Sequence, residues 1–396
     1  MPKRRVACWI TLAACLLTGC WDRREVNDVA FVVGSAADKE KDKYRTTLQI
    51  ALPGQLGGVG SQGGGGGTSG NKPWFNASDF AETIRESSLE QQKSVSRFLY
   101  YAHRRTFMIG EGLARDGIEP IMDVLGRIPQ NRMTAFVVIS KGPGYRILNA
   151  DAPIEKFPAE MIRELAVNSM KNPRTIKHVV NLILSDGIDL VLPIVSLKKS
   201  IPGPGEKGGK STIELDGLAV FHQDKLTGLL SGKEAKGVLL GMGEATRPEI
   251  TIMAPGAKGK ITAVFPFISV KHQPVIQGDQ ITMKIQIRAS GTIIENESNL
   301  ELGRKHNLHN MEKVLAQTIK STVESGIRKL QRKYNSDAIG FGKTIYNQLP
   351  KEWKRFSGRW DEMYPKVKVM VEVHTHIEHS GALIKPFGRR DRNIQK

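Results

Sequence analysis

Cysteine is nearly absent: there are three in 396 residues, at positions 8, 15 and 20. Beyond residue 20 no disulfide framework and no CxxC metal or redox motif can be built. Aromatic residues make up only 6% of the chain, and nowhere do they interleave with basic residues as on a surface that stacks nucleic-acid bases. No apolar run approaches the about 20 residues that a membrane-spanning helix needs. Acidic residues are outnumbered, 40 against 58 Lys and Arg. Neither a G-x-S-x-G nucleophile elbow nor an H-E-x-x-H zinc motif occurs. Stability must therefore come from packing, and no standard catalytic motif is on offer.

What is present first is a short basic segment, Lys3, Arg4 and Arg5, followed by Val6 to Leu17, where only Thr11 is polar. Such a run is too short to span and has the build of a secretory signal. It ends Leu17-Thr18-Gly19-Cys20, which looks like a bacterial lipoprotein box. Residues 1–19 would then be the signal peptide, and Cys20 the lipidation site and first mature residue. A diacylglyceryl thioether there would hold the chain stably on a bilayer. Removing the first nineteen residues leaves 377, enough for two or three domains. The formal charge falls from +18 to +15 with the loss of the three basic signal residues. A tethered basic protein can rest on anionic headgroups; export and the lack of aromatic-basic patches argue against nucleic acid.

Strands are predicted at Val29 to Gly34 and Tyr44 to Leu52, with a turn near Asp38. The stretch 54–72, with ten glycines, reads as a flexible insertion. Beyond it a helix capped by Ser78 carries Phe80, Ile84, Val95 and Phe98 on one face. Next come a strand at Arg105 to Ile109, a helix at Leu113 to Leu125, and a strand at Thr134 to Ser140. Helices at Pro158 to Met170 and Arg174 to Leu184, then a strand at Ile188 to Leu197, complete a first domain, residues 20–200. Alternating strands and helices favour a helix-covered sheet. Residues 201–211 read as a linker, 212–380 as the C-terminal domain or domains, and 381–396 as a basic tail.

In the second half a hairpin turns near Gln223 and Asp224, and Ser231 caps a short helix. A strand at Glu249 to Met253 follows. Two long strands, Lys260 to Lys271 and Asp279 to Ala289, face each other across "HQPVIQG". Leu308, Met311, Leu315, Ile319, Val323, Ile327, Leu330 and Tyr334 then form the apolar stripe of one long helix that packs on a sheet. Pro350 opens a helix bearing Trp353, Phe356 and Trp360, and the last strand turns Val367, Val369, Val371, Val373, Thr375 and Ile377 inward. The fold class is α+β: multi-domain, with mixed or antiparallel sheets each flanked by helices.

Several constellations look chemical and do not hold. "GGKS" at Gly208 to Ser211 and "GFGKT" at Gly340 to Thr344 both end like a phosphate loop. Each lacks the leading glycine and the strand-loop-helix context. His374, His376 and His379 on a strand suggest a solvated face rather than a zinc site. Ser69-x-x-Lys72 and Ser196-x-x-Lys199 have no companion motifs. No catalytic residue, cofactor or metal is assigned.

Read together, "GCWDRREVNDVAFVVGSAADK", "HRRTFMIGEGLARDGIEPIMDVLGR", "VVISKGPG", "DGLAVFHQDKLTGLLSGKEAKG" and "DAIGFGKTIYNQLPKEWKRFSGRWDEMYPKVKVMVEVHTHIEHSGAL" resemble the Ger(x)C family of spore germination lipoproteins. The match runs over most of the chain after Cys20; the glycine-rich insertion and the basic tail depart from it. The resemblance implies three domains, each a sheet with helices. It implies a non-enzymatic C subunit of a nutrient germinant receptor, lipid-anchored on the outer face of the spore's inner membrane. Its partners would be the polytopic membrane subunits A and B, with B the germinant binder. Two rivals are a solute-binding lipoprotein of a transporter, which would need a two-lobed fold with a ligand cleft, and a lipoprotein hydrolase, which would need a nucleophile or a metal.

Overall fold

The computed structural model describes residues 25–53, 72–199, 201 and 211–379. The signal peptide, Cys20, nearly all of the glycine-rich insertion, residues 202–210 of the expected linker and the basic tail lie outside them. Two sheets are formed among the described residues. The class is α+β.

The first sheet is built from β1 (Val29–Glu40), β2 (Lys43–Ala51), β3 (Trp74–Ala81), β4 (Phe98–Tyr100), β5 (Thr106–Gly110), β6 (Phe136–Ser140), β7 (Val191–Lys199), β8 (Ser211–His222) and β9 (Lys225–Leu230). Its order is β3-β2-β1-β5-β6-β7-β8-β9, with β4 beside one end of β1. The centre, β1-β5-β6-β7, is parallel and the two flanks are antiparallel. Central parallel strands are covered on both faces, which is why they read as unbroken apolar runs rather than alternations. Phe107, Ile109, Val137 and Ile139 face a layer made by α2 (Glu111–Asp116), α3 (Glu119–Arg127) and α6 (Ile176–Ile183). Met108 and Val138 point the other way, onto α4 (Gly144–Leu148) and α5 (Pro158–Ser169).

The second sheet, β10 (Glu249–Met253), β11 (Lys260–Gln277), β12 (Gln280–Asn296) and β13 (Lys368–His379), runs in that order. Ile281, Met283, Ile285 and Ile287 form its buried face, and α8 (Lys305–Lys329) covers it with Met311, Leu315, Ile319, Val323 and Ile327, as the stripe predicts. A wider turn, Leu330–Tyr334, extends α8. The helix α7 (Gly232–Met242) crosses α8 closely. A Cβ on Gly326 would sit 2.9 Å from the Val238 nitrogen, so only glycine permits that approach. No helix among the described residues is long and apolar enough to cross a membrane.

Several expectations are corrected. Ser78 does not cap a helix; it lies in β3, and its hydroxyl pairs with Thr47 Oγ1 of the neighbouring strand at 2.8 Å. The helix there, α1 (Ile84–Ser94), is capped by Thr83, which accepts the Glu86 N–H at 3.1 Å, leaving Phe80 and Phe98 on strands. Asp38 is no turn residue. It is buried in β1, and the chain turns after Glu40. The helix expected over Leu113 to Leu125 breaks into α2 and α3 at Gly117, φ +133°. Ser231 precedes α7 but its side chain makes no cap. "HQPVIQ" is strand, and β11 and β12 turn at Gly278 and Asp279 instead. The expected linker joins β7 to β8, neighbouring strands of one sheet.

Candidate functional site

Where the chain leaves α8 it reaches "DAIGFGKT", and the reason for its glycines lies in Asp337. This carboxylate is 2% exposed. Its Oδ1 accepts the N–H groups of Gly340 and Phe341 at 3.0 and 2.8 Å. Its Oδ2 accepts the Gly342 N–H at 2.8 Å and the Trp360 indole Nε1–H at 3.1 Å. Gly340, φ +82°, turns the backbone so that these amides converge before α9 (Phe341–Gln348). The amides that a phosphate would need are thus already taken by the protein's own carboxylate, so the motif has no free cradle. Burial, reinforced by the negative charge of Asp189, outweighs the pull of the N–H donors and pushes the Asp337 carboxyl up to about 8.

This segment is stitched to the first sheet. The Asp337 N–H donates to Asp189 Oδ2 at 2.7 Å, the Asp189 N–H to the Asp337 carbonyl at 3.1 Å, and Lys343 N–H to the Gly187 carbonyl at 2.6 Å. Ser336 Oγ donates to the Phe221 carbonyl of β8 at 2.6 Å. Gly342 lies so close to Gly187 that a Cβ would be 2.8 Å from its Cα and 2.8 Å from the Trp353 ring.

Outside the seam a cleft of about 630 Å³ opens between the two halves. His222 stands in it between two carboxylates, with Nδ1 3.4 Å from Asp189 Oδ2 and Nε2 3.5 Å from Asp361 Oδ2. Asp189, then Asp361, raise its pKa against the opposing effect of burial. Glu119, Asp186 and Asp224 add further negative charge to the walls. Both imidazole nitrogens face carboxylates, Nδ1 through a hydrogen bond to Asp189 and Nε2 in a looser contact with the more exposed Asp361. No group of three or more His, Cys, Asp or Glu among the described residues is arranged to hold a metal. The arrangement can hold the two halves together.

Of the residues singled out in the sequence, Cys20 lies outside the described part. His374, His376 and His379 are exposed on β13, and His376 Nδ1 is 3.3 Å from Glu312 Oε1. Ser196 is buried on β7 while Lys199 is exposed. Trp353, on α10 (Pro350–Phe356), and Trp360, on the separate short helix α11 (Trp360–Met363), are both buried, with ring centroids 5.4 Å apart. Sequence reasoning missed Asp189, His222, Asp337 and Asp361. Only "DAIGFGKT" gave a local signal; Asp189 stands in a loop and His222 ends β8, and neither sits in a motif of its own.

Comparison with known proteins adds the following. The family model described as spore germination protein N-terminal domain matches residues 22–197, and that described as spore germination B3/GerAC like, C-terminal, matches residues 216–381. The putative spore germination protein YfkR of Bacillus subtilis (strain 168) is 39% identical over 386 residues, covering 97% of this chain and 99% of that protein. Spore germination protein KC of the same organism is 27% identical over 407 residues, covering 97% and 98%. The crystal structure of the GerBC protein shares the fold at a TM-score of 0.57 and 18% identity, covering 90% of this chain and 100% of that one.

Proposed function

The chain belongs to the spore germination B3/GerAC-like family, and from that premise we propose that it is the non-enzymatic C subunit of a nutrient germinant receptor. It is held by lipid on Cys20 to the outer face of the spore's inner membrane and works with the polytopic subunits A and B. The observation that carries this reading is the pair of family models, in order, over residues 22–197 and 216–381. The self-capped amides after Asp337 support a reading without a bound phosphate there. We also propose that residues 20–200 and 212–380 are the two sequence units of the subunit.

A tethered subunit that transforms nothing can act only by binding its partners. To change their signalling it must bind one of their conformational states better than the other. Loss of the subunit would then abolish the nutrient response through failed assembly or activation. The test is affinity purification of the chain from spore membranes with mass spectrometry of what accompanies it. Two polytopic membrane proteins should co-purify; recovery of the chain alone overturns the reading. The part from Trp21 onward should show no hydrolase activity, and millimolar or tighter binding of a nutrient to it by calorimetry would move the ligand site onto this subunit.

A further inference from the structure

Arg104 is a fully charged side chain shut inside the first sheet's helix layer, 3% exposed. Among the described residues no carboxylate lies within the 4.0 Å of an ion pair. Its Nη1 donates to Ser35 Oγ at 3.3 Å and its Nη2 to Asn131 Oδ1 at 2.7 Å, both neutral acceptors. Its Nε–H has no partner. The guanidinium lies over the rings of Phe107 and Tyr101, at 5.1 and 5.8 Å. Such ring contacts offset only part of the cost of dehydrating a cation. Burial accordingly drags the Arg104 pKa down to about 10. A lone buried guanidinium with an idle donor is a costly arrangement for a structural residue.

Beside it is a pocket. Arg104 and Tyr101 line it, and the hydroxyl of Tyr101, 9% exposed, makes no hydrogen bond of full geometry; its polar neighbour is the Ser88 hydroxyl, which itself donates to the Ile84 carbonyl. Exposed Arg85 also lines the pocket, and no acidic residue does. The free space is about 30 Å³, against the roughly 10–15 Å³ that seats one water. Leu48, Ile84, Leu125 and Ile128 form the apolar walls.

We propose that this pocket binds a small monocarboxylate, of formate to acetate size, on Arg104 Nε and the Tyr101 hydroxyl. The guanidinium supplies planar donors that suit a carboxylate better than a spherical ion. The apolar walls receive a short alkyl tail. Two cations and no anion leave an incoming ammonium unpartnered, so a simple carboxylate is preferred over a free amino acid.

The test uses the full chain, purified in detergent, titrated with sodium acetate at ionic strength held constant with sodium chloride. Thermal unfolding and calorimetric titration are the readouts. Acetate should raise Tm in a saturable manner that chloride does not reproduce. Tyr101→Phe, which removes one oxygen and keeps the ring, should weaken acetate binding roughly tenfold, and Arg104→Leu should abolish it. The proposal is overturned if acetate does no more than chloride, if glycine binds as well as acetate, or if Tyr101→Phe leaves acetate affinity unchanged.

Discussion

Asp189 and Asp337 hold each other by two reciprocal hydrogen bonds, the N–H of 337 on the side chain of 189 at 2.7 Å and the N–H of 189 on the carbonyl of 337 at 3.1 Å. They are 148 residues apart in the chain. One follows the helices of the first sheet and the other follows the helix on the second, so this pair is one of the places where the two halves meet.

Asp337→Asn should be destabilising despite its near-identical shape. Above about pH 8, where the group is ionised and the effect is to be measured, the carboxylate accepts four N–H groups, and an amide must turn its own NH2 toward some of them. Leaving buried donors opposed to a donor costs about 2–4 kcal/mol. Urea unfolding followed by tryptophan fluorescence measures this; a loss below about 1 kcal/mol would show the seam to be loose.

Stability should fall as pH rises from about 6.5 to 8. Asp337 keeps its proton in the folded chain up to about 8, whereas unfolded it releases it near 3.8, so the folded state binds more protons across this window and loses stability with pH. The slope from one such group is at most about 1.4 kcal/mol per pH unit. His222, whose pKa is also raised in the fold, works in the same direction: its contribution is complete below the unfolded value and disappears as pH passes the folded one. His222→Gln should therefore flatten the upper part of the curve and leave the Asp337 share. A stability that rises across this window would contradict both assignments.

Trp353→Ala should cost about 3–5 kcal/mol, as the removal of core aromatics does. Trp353 is 5% exposed, packs edge-on against Trp360 at 5.4 Å and closes over Gly342. A change under about 1 kcal/mol in denaturant unfolding would place the ring on a surface rather than in the core.

Cys20→Ala should leave an uncut or unlipidated product. The check is phase partition in a clouding detergent: the parent chain belongs in the detergent phase, and the variant in the aqueous phase or with its signal still attached. A variant that loses its signal and yet stays in the detergent phase rules out the lipid anchor.

Much of the fold was legible because periodicity is local. The stripe from Leu308 to Tyr334 repeats at helical spacing and is buried throughout except at Leu308, which is half-buried. The runs at Phe107 to Ile109 and Val137 to Ile139 are apolar because both faces are covered. Reading failed where polar residues serve a strand. Asp38 resembled a turn residue, yet its carboxylate accepts the N–H groups of Gly144 and Tyr145 at 2.6 and 3.1 Å, bonds that only the folded chain brings together. Ser78 resembled a cap because Asp79 and Glu82 follow it, but pairing with β2 overrode that local preference. The seam was hidden for the same reason as Asp38: "DAIGFGKT" is conspicuous, while its partners Gly187 and Asp189 are set by topology rather than by spacing.

The continuity of the first sheet across residues 201–211 limits how relatives can be recombined. β8 and β9 come after that stretch in sequence, yet β8 pairs with β7 along nearly its whole length. A hybrid joined within 201–211 would set one parent's β7 against the other's β8 and mismatch a row of buried side chains, among them Ile194 and Leu218. Moving the junction to Leu230 and Ser231, after the last strand of the sheet, keeps every ladder within one parent and leaves the shared core around Val191, Leu218 and Val220, with the Asp189–Asp337 contact, as the surface on which the two lineages must still agree.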